Sequence, residues 1–156
     1  EGATMQTSCS CPCRESEVIV KNHPVIRFIC HCKICQGVYR KPFADIVAVR
    51  SNQVIKPINP TIRFAKHSFP PAVNRGVCAS CNSPVVAFLP LAPAFGLSFI
   101  PAVNFFKEYE LPKPVLHLFY DRRVDDADDD LPKFNGYWQS QWAVSSHFFS
   151  AILRRS

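Results

Sequence analysis

The chain has 156 residues and a formal charge of +6, enough for one domain with a buried core. Apolar residues make up 47% and thirteen phenylalanines are spread along the chain, which excludes intrinsic disorder. The basic residues are scattered and the one charge run, residues 125–130, is acidic. The basic stripe of a nucleic-acid surface is therefore missing, and nucleic acid is not expected as a partner.

Fourteen prolines against five glycines favour short strands with fixed turns over long helices. In chain order, residues 8–13 read S-C-S-C-P-C, three cysteines at alternate positions that share a face if the segment is extended. Residues 17–22 and 25–29 predict two strands joined at His23-Pro24, and residues 37–42 a short helical turn. Residues 43–50 predict a strand that turns at Ser51-Asn52, and residues 53–58 and 61–66 two more. Strands at 73–77 and 84–89 flank C-A-S-C, the strand–knuckle–strand order of a zinc ribbon. Further strands are expected at 97–103 and 115–120. The apolar stretch 84–103 is of membrane-spanning length, but Pro84, Pro90, Pro93 and Pro101 interrupt it, so it reads as core. No membrane association is expected.

Residues 125–130 read as a hydrated loop, because the spacing and glycine of a calcium loop are absent. The tail, residues 135–156, carries Trp138, Trp142, Phe149 and Ile152 at helical spacing. It predicts an amphipathic helix packed by that stripe on the domain, with a homodimer or partner contact as the alternative.

Eight cysteines would suit disulfides in a secreted chain, but C-x-C and C-x-x-C pairs are poor disulfides and good chelates. No leader-like apolar segment precedes them, so a reducing, cytoplasmic setting is expected. A C-x-C pair near the start, Cys9/Cys11 or Cys11/Cys13, joins Cys78 and Cys81 to give four thiolates, a closed structural zinc site. Cys30, Cys32 and Cys35 remain as a second, three-thiolate group. Three protein ligands with an open position are the pattern of a catalytic zinc. Such an ion is a weaker Lewis acid than one on three histidines. It suits capture of a substrate thiol, whose thiolate attacks an aldehyde carbon. Lys33, Arg40 and Lys41 lie close by in sequence as candidates to hold a carboxylate. His31 points away from its cysteine neighbours in an extended segment, as a fourth ligand, a supporting donor or a packed residue. His117 is a candidate to line the cleft and move protons.

At these residues the chain resembles the glutathione-dependent formaldehyde-activating enzyme family, whose domain also occurs in centromere protein V. The resemblance rests on S-C-S-C at 8–11, C-H-C-K-I-C at 30–35, Pro42-Phe43 and C-A-S-C-N-S-P at 78–84. It continues in L-P-K-P-V-L-H-L-F at 111–119 and D-L-P-K-F at 130–134, and covers residues 7–134. It implies a mainly β, Mss4-like zinc-binding fold of packed antiparallel sheets with a short C-terminal helix. It implies that Cys9, Cys11, Cys78 and Cys81 are the structural zinc ligands and Cys30, Cys32 and Cys35 those of a catalytic zinc. The implied reaction joins formaldehyde and glutathione to S-(hydroxymethyl)glutathione, a carbon–sulfur lyase activity. One departure is local: family members often have glycine after the first C-x-C, where this chain has Pro12 and Cys13.

Overall fold

A computed structural model describes residues 6–21, 24, 26–55, 61–66, 73–92, 95–105 and 111–155. The described residues are mainly β and form two sheets. In the first, β1 (Gln6–Ser10) pairs antiparallel with β2 (Glu17–Lys21), which pairs with the two-residue β5 (Val54–Ile55). The second has seven strands. Its strand order is β10 (His117–Leu118), β3 (Ile26–Cys30), β4 (Ala44–Arg50), β9 (Phe95–Pro101), β8 (Pro84–Ala92), β7 (Asn74–Cys78) and β6 (Ile62–Lys66). Every pair is antiparallel except β10 with β3.

The alternation of side chains along β4 gives the large sheet two buried faces. Val47 and Val49 meet Val18 and Val20 of the small sheet, with Val85 and Ile100. Ile46 and Ala48 face the other way, towards Phe28, Leu116, Leu118 and the C-terminal helix α2 (Gly136–Arg155). Arg27 crosses from β3 to Asp45 of β4 as a two-pronged ion pair at 2.8 and 2.6 Å. Its third nitrogen donates to the Pro112 carbonyl at 3.3 Å, fixing the segment that leads into β10.

Three expectations change. The helical turn expected at 37–42 is α1 (Lys33–Tyr39), which starts directly on the cysteine loop and ends at Arg40 in a left-handed conformation, φ 53°. The strand expected at 115–120 shortens to two residues, because Phe119 also turns left-handed (φ 53°) and leads into a 3-10 turn. The tail does form a helix, but with its faces exchanged. Ser140, Ala143 and Val144 are buried against the sheet, while Trp138 and Trp142 are 81% and 76% exposed and Phe149 and Leu153 are exposed beside them. The smaller side chains form the inner face, and the bulky ones are left outside. The side chain of Ile152 lies outside the described part, as do Asn22, Val25 and residues 56–58 of the expected strands, and His23 between two of them. Within the stretch 84–103, β8 and β9 pair antiparallel, and a 3-10 turn follows at Ala102–Asn104. Among the described residues, no helix is long and apolar enough to cross a membrane.

Candidate metal centres and cavity

Two cysteine groups emerge, and they are built differently. The first joins the β1–β2 turn to the β7–β8 turn. Cys11, Cys13, Cys78 and Cys81 place their sulfurs within 4.8 Å of one another. Cys11 and Cys13 sulfurs are 3.5 Å apart, and those of Cys13 and Cys78 3.7 Å. Zinc–sulfur bonds at tetrahedral angles require about 3.8 Å, so the donor set fits zinc.

The two turns match. After Cys11, the Arg14 amide donates to the Cys11 carbonyl at 2.9 Å and the Cys11 amide to Ser16 at 3.1 Å. After Cys78, the Asn82 amide donates to the Cys78 carbonyl at 2.7 Å and the Cys78 amide to Ser83 at 2.9 Å. Each pair ends on a left-handed residue, Arg14 (φ 67°) and Asn82 (φ 60°). Arg14 thus sits in the left-handed region that favours glycine, immediately after Cys13. The register of the first pair follows: the geometry assembles Cys11 and Cys13 with Cys78 and Cys81, and Cys9 stands outside the group. Cys9 lies on β1, fully buried against the inter-sheet core. Burial, with a smaller push from the Glu17 charge, raises its thiol to about 12.

The second group comes from one short segment. Cys30 ends β3. Cys32 caps α1, its sulfur accepting the Cys35 amide at 3.3 Å, and Cys35 lies in the first turn. The three sulfurs again lie within 4.8 Å of one another, and no His, Asp or Glu joins them among the described residues. The Gln36 side chain donates to the His31 carbonyl at 2.6 Å and the Arg122 carbonyl at 2.9 Å, which pins the loop. The three share protons unequally. Hydrogen bonds from Cys30 and Cys35, and then the Cys35 amide, hold Cys32 far below the ordinary thiol value. Cys30, which donates to Cys32, is pushed well above it. Cys32 is thus the thiol of the three that ionises most readily, and a soft cation binds the ionised form.

This group forms part of the wall of a mostly apolar cavity of about 320 Å³. Phe28, Val86 and Phe99 line it from the sheet, Tyr137 and Gln141 from α2, and Arg75 from β7. The four-cysteine group lines no part of it.

The basic residues that sequence proximity suggested do not enter this cavity. Lys33 and Lys41 are exposed, and Arg40 donates to the Cys81 carbonyl at 3.1 Å, on the other metal group. His31 and His117 face away from it. The His31 and His117 rings are joined by a 2.9 Å hydrogen bond between Nε2 and Nδ1, and His117 Nε2 lies 2.8 Å from Asp129 Oδ2. Because the carboxylate accepts, His117 donates from Nε2 to Asp129. Burial, then the charges of His117 and Arg123, lower the His31 value to about 4, so it stays neutral. Hydrogen bonds from His117 and Lys133 hold Asp129 down at about 2. This chain borders a second hollow of about 350 Å³ lined by Asp125, Asp126 and Asp128.

A protein-family model described as glutathione-dependent formaldehyde-activating enzyme matches residues 6–122, three quarters of the chain and all eight cysteines. The chain belongs to this family. No curated protein matches it in a sequence search. Within the formaldehyde-activating family's span lie both cysteine groups, Arg75 and His117. Asp129 and α2, which complete the histidine chain and one cavity wall, lie beyond it.

Proposed function

We propose that the chain is a zinc-dependent enzyme of the carbon–sulfur lyase type that joins a small thiol to an aldehyde. Glutathione and formaldehyde, named by the family, are the default pair. The carrying observation is the division of seven cysteines into a four-sulfur group that lines no part of the apolar cavity and a three-sulfur group on its wall. Four thiolates complete a tetrahedral site, whereas three would leave one position open, and these three line an apolar hollow.

Zinc held by Cys30, Cys32 and Cys35 would supply the Lewis acid that keeps a fourth sulfur, the substrate's, ionised at neutral pH. The three cysteines fix where that sulfur sits, and the loop pinned by Gln36 keeps them in place. The apolar walls from Phe28, Val86 and Phe99 exclude water that would hydrate the aldehyde. In the forward direction the sulfur attacks the carbonyl carbon, and the carbon–sulfur bond forms as the carbonyl π bond breaks. The thiol's proton ends on the new hydroxyl oxygen, so the reaction is balanced without another reactant.

The second reading is a non-catalytic zinc module that binds a protein, favoured by the exposed stripe of Trp138, Trp142, Phe149 and Leu153 on α2. Metal analysis with a condensation assay separates the two. The enzyme reading expects two zinc ions per chain and accelerated formation of S-(hydroxymethyl)glutathione. One zinc per chain, with Cys30, Cys32 and Cys35 open to alkylation and no acceleration, would support the module.

A further inference from the structure

Arg75 is the one cationic side chain lining the thiol cavity among the described residues. Its Nη1 is buried and has no hydrogen-bond partner. Its cross-strand neighbours are Ala65 on β6 and Ala87 on β8, which neither pair with it nor crowd it. The strand bulges directly after it, between Gly76 and Val77, a device that re-aims side chains. A buried guanidinium nitrogen without an acceptor is costly unless something completes it. Its planar fork matches a carboxylate with two parallel hydrogen bonds.

We propose that Arg75 is the anion anchor of this cavity, taking a carboxylate of an acid-bearing thiol whose sulfur sits at Cys30, Cys32 and Cys35. The inference rests on the enzyme reading above and narrows its substrate class to thiols that carry a carboxylate. The apolar surroundings strengthen the pairing, since few waters compete for either partner. Arg75 also lies close enough to draw Cys32 and Cys35 towards their ionised forms. The competing role is therefore compensation of the thiolate charge, which would make Arg75 equally important to every ligand.

Calorimetric titration of the zinc-loaded full chain with three probes separates these roles: glutathione, its dimethyl ester and S-methylglutathione, which keeps both carboxylates but has no thiol. Arg75→Met is expected to weaken glutathione and S-methylglutathione by about tenfold or more. It should leave the diester, the zinc content and the melting temperature unchanged, and Arg75→Lys should recover part of the loss. Equal weakening of the diester, or unchanged glutathione binding, would overturn the anchor. If glutathione binds no tighter than S-methylglutathione, thiol capture fails instead, and the anchor still stands if Arg75→Met weakens both.

Discussion

The two cysteine groups use the same atoms to opposite ends. The four-cysteine group draws on two turns far apart in sequence and ties the small sheet to the large one. The three-cysteine group draws on six consecutive residues and ties nothing distant together. Cys13 and Cys78 are 65 residues apart, so linking them through a metal removes a large share of the unfolded chain's freedom. Closing the three-cysteine loop removes little. Stability should therefore depend on the first group and chemistry on the second.

The largest expected effect is on the clip. Cys78→Ser opens a loop whose closure is worth on the order of 4 kcal/mol. It is expected to lower the melting temperature sharply and to lose cooperative unfolding in a thermal scan. Near-wild-type melting would remove the clip from the account. Cys32→Ser should act the other way round: one zinc of two lost, turnover down by roughly a hundredfold or more, and stability changed by less than about 2 kcal/mol. Unchanged turnover would show that the three-cysteine group does no chemistry.

A third comparison lies within the first C-x-C-x-C run. Cys13→Ser should behave like Cys78→Ser. Cys9→Ala should keep both zinc ions and lose only the about 1–2 kcal/mol of a small buried side chain. Zinc content and melting temperature of the two variants read this directly, and the reverse order would shift the register by two residues. The smallest effect concerns Asp129. Its carboxyl is held down at about 2 by His117 and Lys133, below the ordinary carboxylate value. Its contribution is thus present above about pH 4 and lost as the pH falls through about 2. Asp129→Asn should melt slightly lower than wild type at pH 6, with the gap closing by pH 2 and the zinc content at pH 6 unchanged.

Much of this arrangement is legible in the sequence, and the rest is hidden for physical reasons. Chelate spacing points to two metal-type cysteine groups, with Cys9 in the place that Cys13 takes in the fold, and the proline count and strand patterns point to the mainly β fold. The choice between Cys9/Cys11 and Cys11/Cys13 is not legible, because three alternate cysteines satisfy either spacing; only the fold brings the sulfurs of Cys11 and Cys13 beside Cys78 and Cys81. Arg75 was invisible since only the pairing of β7 with β6 and β8 brings it to the thiols, whereas Lys33, Arg40 and Lys41 were near them in sequence alone. Asp129 was lost in an acidic run, and its partner His117 lies twelve residues upstream. On α2 the aromatic stripe pointed to the buried face, yet that face is made by Ser140, Ala143 and Val144.

The most direct test is a crystal structure of the metal-loaded chain with anomalous scattering recorded at the zinc edge. Two peaks are predicted. One is ringed by Cys11, Cys13, Cys78 and Cys81. The other is held by Cys30, Cys32 and Cys35, its fourth ligand a solvent or substrate atom on the cavity side. A single peak, or a protein side chain completing the second site, would contradict the account.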